Sequence, residues 1–258
     1  MKRINYFIKK YLENRPMFMS IIRSQEAMLF QKYGKFIKGK VMDFGCGEGF
    51  FAELVFGKRK INIGLDLFNN IRVEEARSKN IYKKILLYDG NRIPFEDKYF
   101  KSIVSNCVLE HIPKIQFSLK EIYRILQPGG FFVTSVMADR WETNQFGGKI
   151  FGKRYQNFMR KIQAHHNLFS NQKWQTYFKK AGFKIESVEG YLYPKSSYWL
   201  DISHYLSIFS LISYKLFGIW MLMSIPIITE IKTRMIKSVI IDEKNLDKAS
   251  ALFFVLKK

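Results

Sequence analysis

The chain has 258 residues, enough for one or two domains at roughly 100 to 200 residues each. Its 43 Lys+Arg against 22 Asp+Glu give a formal charge of +21, yet 47% hydrophobic and 16% aromatic residues exclude a disordered polycation. Only Cys46 and Cys107 are present, with no C-x-x-C pair and no Cys/His set at zinc spacing, so neither a disulfide framework nor a metal site is expected.

From Tyr6 to Lys38 apolar residues recur at helical intervals (Phe7, Ile8, Tyr11, Leu12, then Met17, Phe18, Ile21, Ile22), and Pro16 divides two expected helices. Residues 1–40 form a basic amphipathic helical arm carrying ten basic and two acidic residues. Lys9, Lys10, Glu13 and Arg15 interrupt any apolar signal core, so the chain is expected to stay in a reducing cytoplasm. Val41 to Phe44 reads as a first strand that ends in Gly45-Cys46-Gly47-Glu48-Gly49, and Phe50 to Phe56 resumes as a helix. Further strands are expected at Ile61 to Leu67, Lys84 to Tyr88, Ser102 to Cys107 and Gly130 to Val136, the last after the turn Gln127-Pro128-Gly129. Helices at Asn70 to Lys79 and Ile115 to Leu126 separate them. This alternation predicts a doubly wound parallel α/β sheet with crossover helices.

The turn after the first strand has the form G-x-G-x-G. Phe50 stands where a dinucleotide fingerprint needs its third glycine, and no G-K-[ST] follows for a phosphate loop. Backbone N–H groups of such a turn approach a polar ligand at a helix N-terminus, and Asp66, near the end of the second strand, is placed to accept ribose hydroxyls. Asp89 ends the third strand. A ligand with ribose and adenine but no pyrophosphate suits this arrangement.

The blocks Val41 to Gly49, Gly64-Leu65-Asp66, Asp89-Gly90-Asn91-Arg92-Ile93-Pro94-Phe95, Leu109-Glu110-His111-Ile112 and Leu126-Gln127-Pro128-Gly129-Gly130 together resemble class I S-adenosylmethionine-dependent methyltransferases. The nearest subgroup is the type 11 methyltransferase domain, which includes ubiquinone- and menaquinone-biosynthesis enzymes. His166 to Phe169, Trp174 and Lys180-Ala181-Gly182-Phe183 resemble its late helix leading to strand six (Phe183 to Val188), and Ser250 to Leu256 its last strand.

The resemblance implies a Rossmann-like seven-stranded sheet with an antiparallel last strand, and S-adenosylmethionine as cofactor. It implies that Asp43, Gly45 and Gly47 line the methionine end, Asp66 binds the ribose and Leu67 flanks the adenine. Asp89 would accept from the adenine amino group beside Gly90, and Asn106 would lie under the sulfonium. Phe100-Lys101 departs from the family's usual Phe-Asp. His111 and His166 are the candidate bases, each with an alternative role in capping or orienting a neighbouring helix. Ser105-Asn106-Cys107-Val108 replaces the Asn/Asp-Pro-Pro-aromatic run that goes with methylation of base amines, which disfavours methylation of an exocyclic base amine.

Between strand six and the last strand, Tyr205 to Thr229 contains one charge, Lys215. Its twelve Leu, Ile or Phe favour insertion by roughly 4 to 7 kcal/mol against about 3 for a central Lys. A single span would nevertheless strand the last strand across the membrane, and two spans need about 40 apolar residues. The remaining options are an interfacial or re-entrant helical element, a lid over substrate, a homodimer-burying helix pair or an ordinary core helix. Trp199, Tyr205 and Trp220 with Lys232, Arg234 and Lys237 match a membrane-surface anchor with basic flanks.

The expected organisation is 1–40 arm, 41–190 cofactor-binding core, 191–249 hydrophobic helical insertion and 250–258 last strand. Residues 41–140 carry a net +3 and the flanks +18. Eight Ala against 24 Phe point to compositional drift as one source of that excess, and an anionic partner is the other. The expected activity is methyl transfer to a small-molecule or lipid-linked acceptor, peripheral on the inner membrane face. The alternatives are a nucleic-acid methyltransferase and a non-catalytic cofactor-binding protein.

Overall fold

The structure is a computed structural model that describes residues 2–58, 60–217, 226–240 and 243–258. In chain order it runs α1 (Lys2–Asn14), α2 (Met17–Lys32), β1 (Val41–Phe44), α3 (Phe50–Phe56), β2 (Ile63–Leu67), α4 (Val73–Ser78) and β3 (Lys84–Tyr88). Next come β4 (Phe100–Asn106), α5 (Ile115–Ile125), β5 (Leu126–Met137), α6 (Arg140–Asn144), α7 (Phe146–Ile150), α8 (Gly152–Ile162) and α9 (Asn171–Lys180). The chain closes with β6 (Lys184–Tyr191), α10 (Pro194–Phe217), α11 (Pro226–Val239) and β7 (Ala251–Lys257). It divides into two compact units, one helical (Met1–Leu29, Ala138–Ala164, Gly190–Ala251) and one holding the sheet (Phe30–Met137, His165–Glu189, Leu252–Lys258).

In the sheet unit the strand order is β3-β2-β1-β4-β5-β7-β6. The first five strands pair in parallel and the last is antiparallel. Every residue of β1 is buried, as expected for a central strand covered on both faces. Order reverses at β1, which lies between β2 and β4 with Asp43 opposite Gly64 and Val104. In doubly wound sheets such a reversal is where the carboxyl ends of the strands form a crevice, here those of β1 and β4. Aromatic packing fills the core: the Phe30 ring meets Phe51, Phe56 and Phe253 edge-on, and the buried Trp174 indole donates to the Met137 carbonyl at 3.0 Å.

Several boundaries differ from the sequence expectation: β2 begins at Ile63 rather than Ile61, and β4 runs from Phe100 to Asn106 rather than from Ser102 to Cys107. β5 begins at Leu126, not Gly130, because Phe100 pairs with Leu126 and Ser102 with Phe131, so the ladder bulges around Pro128-Gly129-Gly130 rather than starting after it. α4 is shorter than Asn70 to Lys79, since Asn70 forms a turn whose side chain accepts from the Arg72 N–H at 3.2 Å. β6 continues past Val188 to Tyr191.

The helical unit confirms two helices split at Pro16. α1 buries Phe7, Ile8, Tyr11 and Leu12, packs against α11, and joins it by Lys9–Glu230 at 2.8 Å. The excursion before the last strand consists of α10 and α11; residues 218–225, including Trp220, lie outside the described residues. Among the described residues no helix is long and apolar enough to cross a membrane. Two buried carboxylates knit this unit. Glu142 receives both guanidinium arms of Arg160 (2.8 and 2.6 Å), and Asp201 accepts the Tyr155 hydroxyl and the Gly147 N–H, the latter at 2.9 Å.

Asp201→Ala leaves two buried donors without their acceptor and is expected to lower unfolding free energy by about 2–4 kcal/mol. Tyr155→Phe, which removes donor and keeps shape, should cost about 1 kcal/mol. Urea denaturation of both variants checks the ranking, and equal midpoints would contradict it.

Candidate functional site

The crevice of the sheet unit is floored by the turn after β1. Gly45 and Gly47 hold φ of +78° and +50°, a region that L side chains rarely adopt. Their surroundings differ. A Cβ on Gly45 would meet the Val108 side chain at 2.4 Å, so this glycine lets the turn lie against the segment after β4. A Cβ on Gly47 would meet nothing within 4 Å, so its face is open space. The N–H groups of Gly45 and Cys46 both donate to the Leu65 carbonyl, at 2.8 and 3.1 Å, and hang the turn from β2.

Asp66, buried at the end of β2, accepts the Gly47 N–H on one carboxylate oxygen at 2.7 Å and the Leu67 N–H on the other at 2.8 Å. Each oxygen retains a second lone pair. Leu67, next in the chain, is exposed, and its side chain lies 3.2 Å from where a Cβ of Gly90 would sit. An apolar ledge therefore covers the ends of β2 and β3. Asp89 beside it is exposed; hydrogen bonds from the Asn91 amide at 2.9 Å and the Asn91 backbone N–H at 2.9 Å hold its carboxyl below the usual range. Asn106 ends β4 and accepts the Ser135 hydroxyl from β5 at 2.5 Å; the same serine's carbonyl receives the Cys107 N–H at 3.1 Å.

Asp43 lies beneath the turn. Its carboxylate accepts the Tyr82 hydroxyl at 2.6 Å, and Tyr82 also reaches the Cys46 carbonyl at 3.3 Å. Burial pushes the Asp43 carboxyl up to about 7; the Tyr82 hydrogen bond pulls it down, and the nearby Asp66 charge raises it further. Burial likewise pushes up the Cys46 thiol and the Tyr82 phenol, each raised further by the Asp43 charge. Tyr82 had no signal in the sequence beyond its place before β3, and Ser135 read only as part of a strand.

Of the candidate bases, His111 is exposed at the end of a short 3₁₀ turn, Leu109–His111, and its ring lies 4.9 Å from that of His165. Glu110, fully buried, brings a carboxylate to the same place, and one donor from each of Glu110, His111 and His165 falls within 4.8 Å of the others, a set able to hold a divalent cation. The structure therefore pairs His111 with His165. His166 takes part through its backbone, its N–H donating to the Glu110 carbonyl at 2.8 Å, while Asn167 bonds the Leu109 and Ile112 carbonyls at 2.9 and 2.7 Å.

Residues 11–188 match the family described as Methyltransferase domain. The mitochondrial ubiquinone biosynthesis O-methyltransferase of Mus musculus is 25% identical over 178 residues, which cover 64% of this chain and 47% of that protein. The chain thus spans about half the length of the curated relatives it matches. Among solved structures, an S-adenosylmethionine-dependent methyltransferase from Thermotoga maritima superposes with a TM-score of 0.59 at 16% identity, covering 99% of each chain. A Haemonchus contortus phosphoethanolamine N-methyltransferase, solved with phosphomonomethylethanolamine and S-adenosylhomocysteine, gives a TM-score of 0.58 at 17% identity over 97% of this chain and 60% of that one. At these identities the likeness is one of fold.

The raised Asp43 pKa carries a linkage. The folded protein holds that proton to about pH 7 while the unfolded chain releases it near 4, so the Asp43 contribution to stability falls as pH rises across that window. Tyr82→Phe removes the hydrogen bond that favours the charged form and is expected to cost more at pH 8 than at pH 5.5. Urea midpoints of both proteins at the two pH values measure this, and a pH-independent difference would refute the coupling.

Proposed function

The chain belongs to the methyltransferase domain family, whose cofactor is S-adenosylmethionine, and on that premise we propose that it methylates a small-molecule or lipid-linked acceptor at the cytosolic face of a membrane. The observation that carries the reading is the turn after β1: a left-handed Gly47 that opens onto empty space, held there by the same Asp66 carboxylate that keeps a lone pair free on each oxygen.

These residues fit the cofactor. The space at Gly47 is one that a side chain would fill, and it suits the methionine portion. Asp66 has the capacity to accept two ribose hydroxyls while still clamping the turn. Leu67 offers an apolar surface to a flat base, and Asp89, kept ionised, an acceptor for its amino group. Asn106 closes the floor from β4, its orientation fixed by Ser135. When bound, S-adenosylmethionine supplies a sulfonium-activated methyl group for in-line displacement. The protein's contribution is then chiefly to orient the acceptor, an effect worth up to ~7 to 11 kcal/mol. For a hydroxyl acceptor a proton must leave, and His111, exposed and backed by His165 and Glu110, is the residue available to take it.

The membrane assignment rests on the helical unit. α10 exposes Leu206, Ile208, Ile212 and Leu216, and α11 exposes Ile227, Ile231 and Met235, with Lys232, Arg234 and Lys237 on the same helix. Apolar residues ringed by cations suit an anionic lipid surface. A homodimer would bury the same residues, and sedimentation of the lipid-free chain separates the two.

Calorimetry with S-adenosylhomocysteine is expected to show saturable binding, weakened by about 2 kcal/mol or more, roughly 30-fold, in Asp66→Asn, which keeps one acceptor oxygen and loses the charge. A tritiated-methyl assay over total lipid, protein and RNA fractions should label the lipid or small-molecule fraction. No binding by the intact chain would refute the cofactor reading, and label confined to RNA would refute the acceptor class.

A further inference from the structure

The helical unit carries a second surface that the excursion does not include. Between Glu142 and Glu186 the sequence contains no acidic residue, and over residues 149–162 it places five cations: Lys149, Lys153, Arg154, Arg160 and Lys161. Arg160 is committed to Glu142 by two hydrogen bonds. The others stand on an exposed face together with large apolar side chains: Ile150 is 58% exposed, Phe151 63%, Phe158 58% and Ile162 60%. Helix geometry explains the combination. α8 turns Tyr155 and Met159 inward, while Arg154, Phe158 and Ile162, four residues apart, run along its outside with Lys161 beside them. Four exposed side chains of this size on so short a stretch exceed the scattered apolar residues of an ordinary surface.

We propose that α7 and α8 form an anionic-phospholipid docking surface, in which Phe151, Phe158 and Ile162 enter the interface and Lys153, Arg154 and Lys161 meet lipid headgroups. The inference deepens the membrane part of the proposed function and rests on it. Charge selects the occupant: a stretch with cations and no acid is complementary to a negative bilayer and repels a second copy of itself. Continuity supports it too. The Tyr205 hydroxyl of α10 donates to that of Tyr155 of α8 at 2.8 Å, and Tyr205 and the Leu206 that follows it are themselves exposed. Long cationic side chains beside the aromatic ones let the helix lie in the interface plane with its charges in the headgroup layer.

The test is co-sedimentation of the full chain with vesicles of phosphatidylcholine alone and of phosphatidylcholine with phosphatidylglycerol, with calorimetric S-adenosylhomocysteine binding measured on every variant. Wild type should bind the anionic vesicles and release as salt rises. The variant K153Q/R154Q/K161Q should lose more than tenfold, since each cation near such a surface is worth about fivefold in partitioning. The variant F158S/I162S should lose affinity with its remaining salt dependence intact. Cofactor binding should stay unchanged in both, as none of these residues belongs to the sheet unit's crevice. The inference is overturned if wild type binds neither vesicle while still binding S-adenosylhomocysteine, an outcome that leaves the methyltransferase reading standing. It is also overturned if L206S/I212S abolishes vesicle binding while both α8 variants bind as wild type, or if RNA competes wild type off the vesicles.

Discussion

One carboxylate holds the crevice together. Asp66 spans the gap between the glycine turn and the end of β2, giving one oxygen to the Gly47 N–H and the other to the Leu67 N–H. A charged acceptor for two backbone donors is among the stronger hydrogen-bonding arrangements available to a protein. It also fixes the direction of three things at once: the open face at Gly47, the ledge at Leu67 and the remaining lone pairs of the carboxylate itself. Because Gly45 touches Val108 across the sheet, the segment after β4 is held in the same frame. The parallel order of β2, β1 and β4 is what brings these pieces to a common edge.

Beneath that frame lies an unusual cost. Asp43 is buried close enough to Asp66 for their charges to conflict, and the conflict is eased by holding the Asp43 proton up to about neutrality and by the Tyr82 hydroxyl. A carboxylate pair of this kind is a local cost of the sort that clusters at binding sites. Tyr82 ties the two layers together, since its hydroxyl reaches both Asp43 and the Cys46 carbonyl of the turn.

Much of this was legible in the amino-acid sequence, and the reasons are local. Val41 to Phe44, Phe50 to Phe56 and Lys84 to Tyr88 have the same bounds in both readings, because an abrupt change from an apolar run to glycine or aspartate marks the end of a strand or helix without help from tertiary contacts. The glycine turn and Asp66 were visible for the same reason. The bulge at Leu126 to Gly130 was not, since Pro-Gly-Gly signals a turn and only pairing with Phe100 and Ser102 keeps it in the ladder. Nor could spacing show that His111 meets His165 while its neighbour His166 contributes a backbone N–H, or that Tyr82 lies under Asp43, because those contacts join residues 39 to 56 positions apart in the chain. The exposed face of α8 also escaped notice: a stretch of Lys, Arg and single aromatics reads as an ordinary solvated helix until burial shows which aromatics stay outside.

The strand order carries a consequence for how the sheet is made. β7 lies between β5 and β6, so β6 has no neighbour in the sheet until residues 251–257 have been synthesised. Until then the nascent chain presents the outer side of β5 as an open edge, and β7 that must fill it is apolar from Ala251 to Leu256. Closure joins β5 and β7 across more than a hundred residues of intervening chain, a high-contact-order event. Shielding of the β5 edge during that interval, by a chaperone or by fast local helix formation, would then govern yield more than the stability of the finished fold.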